Sequence, residues 1–149
     1  MLRKATLADT RKIQKLVNSY ASKGEMLPVS ISEICERILE FIVWEENGEL
    51  LGCCAMHPSW EDLVELRSIA VAEHVSRHGI GKAMVEKVME MSRTIGAKKI
   101  FLLTYKAHFF AKFGFQEVEK DTLPKKIWSD CLKCAKFPDC DETAMVLEL

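Results

Sequence analysis

Hydrophobic positions along the chain switch between two spacings. Ile13, Leu16, Val17 and Tyr20 recur at steps of three and four, the stripe of an amphipathic helix. Thr6 with Asp9 three residues on makes a capping-box-like start for it, after a short strand in "LRKA". Ser30 or Ser32 caps a second predicted helix that carries Ile34, Ile38 and Leu39. "FIVWEENGELLGCCAMHP" then reads as two strands joined at Asn47-Gly48, a pair suited to the positive φ angles of a tight hairpin.

"LVELRSIAV", residues 63 to 71, is apolar over most of its length and predicts a buried strand. Beyond Gly79 and Gly81, the stripe of Ile80, Met84, Val88, Met91 and Ile95 predicts a long helix that Gly96 stops. "KKIFLL" is a strand, "AHFFAKF" a short helix and "GFQEVEK" a strand. The pattern turns irregular after Leu123-Pro124, and "ETAMVLEL" supplies a last strand. Strand, glycine turn, long helix and strand form a β-α-β crossover, so the reading is an α/β fold with a mixed sheet and a hairpin meander at its centre. No repeat, low-complexity tract or linker interrupts it, and 149 residues suit a single domain spanning 1–149.

Composition narrows the function. Hydrophobic residues at 48% and charged ones at 29% are globular proportions, which excludes a disordered chain. A net charge of −1 gives no long-range attraction to nucleic acid or to an anionic membrane, so any anion site must be local. No apolar run reaches the roughly 20 residues of a membrane span, and the N-terminus lacks the apolar core of a secretory signal. The expected location is therefore the cytoplasm, where thiols stay reduced. Cys35, Cys53 and Cys54 read as small core hydrophobes.

"SRHGIGKA", residues 76 to 83, has two readings. The glycines can simply relieve crowding at a strand-to-helix corner. Alternatively, they let an anion approach the unpaired N–H groups and positive dipole end of the helix that follows. Met84 stands where a dinucleotide fingerprint needs its third glycine, and the spacing is not that of a GxxxxGK loop. Arg77, His78 and Lys82 around the same point favour a diphosphate.

The run "IAVAEHVSRHGIGKAMVEKVME" resembles the acyl-CoA-binding motif of the GNAT superfamily of N-acetyltransferases. Gly79 and Gly81 take the two glycine positions, while Ser76 stands where Arg or Gln is usual and Arg77 comes one residue late. "AHFFAKFGF" resembles the family's second signature, Ala-x-x-Phe-Tyr-x-x-x-Gly-Phe. The resemblance implies the GNAT fold, a mixed, mostly antiparallel sheet with splayed central strands flanked by helices. It implies acetyl-CoA as cosubstrate, its pantetheine pairing with the backbone of Ile69, Ala70 and Val71. The diphosphate is expected on Arg77, His78, Gly79, Ile80, Gly81 and Lys82.

Glu65 falls where many GNAT enzymes place a glutamate that takes the amine's proton, a role that suits attack by a neutral amine on a thioester. A plain ion pair is the other reading. Strand alternation puts Glu65 and Arg67 on one face, shared with Ile69 and Val71. Phe110 occupies the position of the family's usual tyrosine proton donor, on the cofactor side, and cannot donate. Tyr105 is a substitute or merely an aromatic at a strand end, and unassisted thiolate departure stays open.

"LLTYKAHFFAKFGFQEV" and "EMLPVSISEICERI" are similar to the single-domain N-acetylglutamate synthase group within that family, as is the tail from Leu123. The resemblance implies acetylation of the α-amino group of glutamate, the first step of arginine biosynthesis, by direct transfer. No amino-acid-kinase-like domain is present in the sequence, so arginine feedback through one is not expected. A dicarboxylate acceptor needs fixed cations or donors, for which Arg67 comes first, with Ser68 and Lys106 behind it. Lys106 can equally be a solvated loop charge, and Arg37 has no placement from sequence. His108 reads as structural, and His57 and His74 show no evident partner. The alternatives are another small amine, a protein N-terminus, or a noncatalytic acyl-CoA-binding module. Pairing of two copies through sheet edges is an expectation by analogy.

Cys131, Cys134 and Cys140 form a Cys-x-x-Cys-x5-Cys run. A zinc site, a redox pair and a compact loop over the substrate side all fit it. It lacks the second Cys or His pair of a specific zinc motif, so no metal is expected.

Overall fold

Each predicted strand finds its place in one sheet in the computed structural model, which describes residues 1–26, 28–123 and 142–149. In chain order the elements are β1 (Leu2–Lys4), α1 (Thr10–Ala21), α2 (Ile31–Glu36), β2 (Phe41–Glu46), β3 (Glu49–Trp60) and β4 (Leu63–Val71). They continue with α3 (Ile80–Thr94), β5 (Lys99–Thr104), α4 (Ala107–Ala111), β6 (Gln116–Val118) and β7 (Thr143–Glu148). Across the sheet the order is β1-β2-β3-β4-β5-β7-β6, and β4 with β5 is the parallel pair. The fold is the mixed, mostly antiparallel α/β sheet that the resemblance implies.

Local chemistry explains the ends of the elements. Asn47 and Gly48 adopt φ of 51° and 79°, the left-handed pair that turns β2 into β3. Before α1, Asp9 accepts from the Thr6 N–H at 2.8 Å and takes both guanidinium nitrogens of Arg3 at 2.8 and 2.9 Å. The Arg3 bond holds the Asp9 carboxyl down at about 2, against the opposing effect of its burial. Ser30 is the cap of α2, accepting from the Glu33 N–H at 3.1 Å.

Two apolar layers clamp the sheet. On one face Ile80, Met84, Val85 and Val88 of α3 pack on Leu51, Cys54, Leu66 and Leu102. On the other, Ile13 and Val17 of α1 and Ile34 of α2 pack on Val43, Cys53, Ala55 and Ala70. Gly52 lets α3 sit down on the sheet, since a Cβ there would lie 2.9 Å from Cγ2 of Ile80.

Three local expectations are corrected. The second helix stops at Glu36, because Arg37 leaves helical geometry at φ −112° and ψ 18°, and Leu39 is 86% exposed rather than core. Ile95 lies past the end of α3 and is exposed. Cys35 is exposed, its Sγ 3.7 Å from Thr10 Oγ1, while Cys53 and Cys54 are fully buried. Burial pushes the Cys53 thiol up to about 12. Cys131, Cys134 and Cys140 lie outside the described residues. Among the described residues no helix is long and apolar enough to cross a membrane.

Candidate active site

The centre of the sheet is open. β4 pairs with β5 only from Leu63 to Glu65, against Lys99 to Phe101, so the remainder of β4 has no ladder on that side among the described residues. On its other edge Arg67 lies opposite Ala55 and Ala70 opposite Cys53, three residues of β4 for two of β3. Ser68 carries the extra step with φ of 55°, a β-bulge that displaces everything after it by one position.

The bulge overturns a simple alternation. Arg67 sits opposite Ala55, and Glu65 opposite His57, so both belong to the α1/α2 face. Beyond Ser68, Ile69 and Val71 pack with the α3 core, and Ala70 returns to the α1/α2 core. Glu65 and Arg67 therefore do not share a face with Ile69 and Val71. Period two holds only while each residue of a strand faces one residue of its partner.

Glu65 is buried, and its Oε1 lies 3.3 Å from Nε of Arg67. Its neighbours across the sheet are His57 on β3 and the fully buried Phe101 on β5. His57 has a partner that sequence spacing hid: Nδ1 lies 3.0 Å from both carboxylate oxygens of Glu40, in the turn before β2. His74, the other histidine without an evident partner, lies 3.5 Å from Glu49. Glu40, His57, Glu65 and Arg67 thus form a row of charged and titratable groups at the point where β4 and β5 part.

The open edge of β4 leads to the start of α3. Ala72 donates to the Leu51 carbonyl at 2.8 Å, so in this antiparallel pair the polar groups of Val71 and Ile69 point away from β3 and into the opening. Gly79 is the N-cap of α3 with φ of 82°, a conformation that favours glycine, and a Cβ there would meet nothing within 4 Å. Arg77, His78 and Lys82 are exposed around it. Ile80 is different, since its side chain is buried in the core and only its main chain remains for an anion. Gly81 faces Phe109, and a Cβ added to that glycine would lie 3.4 Å from the phenyl ring. Phe110 is 3% exposed and stacks edge-on with Phe109 and Phe115, at 5.0 and 5.8 Å, so its ring belongs to the core.

Tyr20, at the end of α1, is the residue that sequence analysis placed only in a helix stripe. Its hydroxyl donates to the Val71 carbonyl at the open edge. Its ring lies beneath Lys106, 5.7 Å away, and Lys23, 5.6 Å away. Burial, followed by the nearby Glu73 charge, raises the pKa of Tyr20. Tyr20 joins the end of β4 to the segment after β5, across the mouth of the opening. Lys106 itself is exposed, as are Tyr105 and His108.

A splayed β4/β5 pair with polar groups along the strand edge, leading to a glycine-capped helix, is a slot for an extended acyl carrier that ends in a diphosphate. Comparison with known proteins agrees. The Acetyltransferase (GNAT) family profile matches residues 10–115. The chain belongs to the GNAT acetyltransferase family.

This GNAT chain is 40% identical over 148 residues to an uncharacterized N-acetyltransferase of Chlorobaculum tepidum, covering 99% of this chain and 96% of that one. It is 33% identical over 133 residues to an amino-acid acetyltransferase of Mycobacterium tuberculosis, covering 87% and 76%. Its fold matches the N-acetylglutamate synthase of Neisseria gonorrhoeae complexed with coenzyme A and N-acetyl-glutamate, with a TM-score of 0.91 and 26% identity. That match covers all of this chain and 35% of the longer synthase. The protein is an acetyl-CoA-dependent N-acetyltransferase of the GNAT type. The residues present fit that cosubstrate: left-handed Gly79 opens the helix end, and Val71 and Ile69 offer strand edges. No cluster of three or more potential metal ligands occurs among the described residues.

Proposed function

We propose that the enzyme acetylates the α-amino group of L-glutamate, by direct transfer and without an acyl-enzyme intermediate, at the head of arginine biosynthesis. One observation carries the reading. Arg67 and Glu65 stand side by side where β4 and β5 part, on the face opposite the α3 core. A guanidinium there can fork onto an acceptor carboxylate while the carboxylate beside it takes the amine's proton. The relatives named as amino-acid acetyltransferase and N-acetylglutamate synthase support this choice of acceptor.

The roles divide along the cleft. Acetyl-CoA supplies the activated acetyl group when bound. Main-chain N–H groups of residues 77–82, with Gly79 and Gly81 admitting close approach, hold the diphosphate, and Arg77, His78 and Lys82 add charge. Main-chain groups of Ile69 and Val71 align the pantetheine arm, while those of Ala70, expected from sequence to join them, face β3. Glu65 removes a proton from the acceptor's ammonium, and Arg67, with Ser68 and Lys106, orients its carboxylates. Phe110 holds no proton to give, and Tyr105 sits at the surface, so the departing thiolate is protonated from Tyr105 or from water.

Release of free thiol from acetyl-CoA, measured with each of glutamate, glutamine, polyamines and an N-terminal peptide, tests the proposal. Glutamate is expected to give the highest kcat/KM, and Glu65→Gln to lower kcat by roughly 10²–10⁴-fold. Background release with both glutamate and glutamine overturns the choice of acceptor.

A further inference from the structure

His57 and Glu40 have no part in that scheme, yet they stand beside it. His57 and Glu65 are directly opposed residues of β3 and β4, a pairing that brings Cβ atoms to about 5 Å on one face. Glu40 engages Nδ1 of His57 through both oxygens at 3.0 Å. A carboxylate on Nδ1 keeps the proton of the neutral ring there and leaves Nε2 with a lone pair to accept another. The His57 side chain is 29% exposed and that of Glu65 11%, so the imidazole is the member of the row with the wider path to water. Glu40 from the turn before β2, and Glu65 with Arg67 beyond it from β4, are charged groups set beside His57.

We propose that the Glu40–His57 pair is a proton relay for Glu65, taking the acceptor's proton from the buried carboxylate and passing it from Nε2 to solvent. The relay rests on the reading of Glu65 as first proton acceptor. The balance is simple. The acceptor ammonium yields one proton to Glu65 and on to His57, and the freed amine forms the new N–C bond as the C–S bond breaks. The second nitrogen proton is given up as the amide forms and replaces the one that Tyr105 or water gives to the coenzyme sulfur, so one net proton leaves through His57 per turnover. Glu40 offsets the imidazolium while it exists. Because His57 acts through Glu65, its loss slows the removal of a proton and leaves cosubstrate binding alone.

The test is the pH dependence of kcat from about pH 5.5 to 9, using an acceptor that the wild-type enzyme turns over, with His57→Gln, Glu40→Gln and Glu65→Gln run in parallel. Glutamine keeps a donor toward Glu40 but is no base. His57→Gln is expected to lower kcat by about 10²-fold, to change the shape of the pH profile, and to leave KM for acetyl-CoA within about twofold. Glu40→Gln should act in the same direction but less strongly, and the imidazole ¹⁵N spectrum of its His57 should lose the preference for protonated Nδ1. If His57→Gln does not fold, Glu40→Gln decides by the same two readouts. A wild-type rate and pH profile in the variant overturns the relay, as does a fall in rate that follows a fall in Tm with the profile unchanged. An active Glu65→Gln enzyme would instead remove the reading on which the relay stands. A dead Glu65→Gln beside an unaffected His57→Gln removes the relay alone.

Discussion

Nε of Arg67 lies 3.3 Å from Oε1 of Glu65, so the cation proposed to receive an acceptor carboxylate and the carboxylate proposed as its base hold each other in place. Replacing Arg67 by Met removes the charged hydrogen bonds to a carboxylate acceptor, about 2–3 kcal/mol. That corresponds to roughly a 30- to 150-fold rise in KM for glutamate. KM for acetyl-CoA should move by no more than about threefold, since the strand edge proposed for that ligand lies beyond the bulge. Lys at the same position restores charge without the fork and recovers only part of the loss. Steady-state kinetics with each substrate varied in turn separates the two effects.

Gly79 begins α3 at φ 82°, with open space where a Cβ would go. An alanine there meets no clash, so its whole cost is the left-handed backbone, about 1–2 kcal/mol. If the chain relaxes to escape that cost, the N–H groups at the helix start turn away from the diphosphate. Gly79→Ala is expected to lower Tm by a few degrees and to weaken coenzyme A binding several-fold in calorimetry. An alanine enzyme with wild-type affinity would show that the cradle does not depend on this conformation.

Tyr20 holds the Val71 carbonyl from across the mouth of the cleft. Tyr20→Phe keeps the ring between Lys23 and Lys106 and removes one hydrogen bond, a loss of about 1 kcal/mol. The expected result is coenzyme A affinity reduced about fivefold, with kcat on saturating substrates nearly unchanged. The raised pKa of this phenol makes a further prediction. Its contribution to stability is complete below the ordinary tyrosine value and fades as pH rises through the raised one, so the alkaline loss of stability should be smaller in the Phe variant.

Asp9 behaves in the opposite sense. Arg3 holds its carboxyl at about 2, below the 3.8 it would have alone. The stabilisation, about 2 kcal/mol for a buried carboxylate held by a partly exposed guanidinium, is present above pH 4 and is lost as pH falls toward 2. Asp9→Asn should therefore unfold more easily than the wild type at pH 7, and the two curves should converge near pH 2. Denaturant melts at several pH values read this directly.

Element type and order were legible because they rest on local spacing: the stripes of α1 and α3, the Asn47-Gly48 turn and the Gly79 corner all stand where the pattern predicts. What spacing could not show was any relation between distant segments. Glu40 and His57 are 17 residues apart, and Tyr20 and Val71 are 51 apart. Only the packing of α1 and of the turn before β2 onto the sheet brings these pairs together. The bulge at Ser68 failed to announce itself for a different reason. The adjacent polar residues Arg67 and Ser68 interrupt the alternation, but an interruption does not become a bulge until the register of the partner strand is known. The exposed Leu39 was misplaced because a helix stripe says nothing about where the helix stops, and Arg37 ends it early.

One added residue in β4 makes the strand two-sided in a useful way. The side chains of Glu65 and Arg67 hang from one face of this rod and those of Ile69 and Val71 from the other, separated by a left-handed joint at Ser68. On the proposed roles, selectivity for the amine can consequently drift by exchanging side chains on the Glu65/Arg67 face while the main-chain edge assigned to the acyl donor is left intact. A one-residue deletion at the joint would rotate the two faces out of register and disrupt both proposed binding surfaces together.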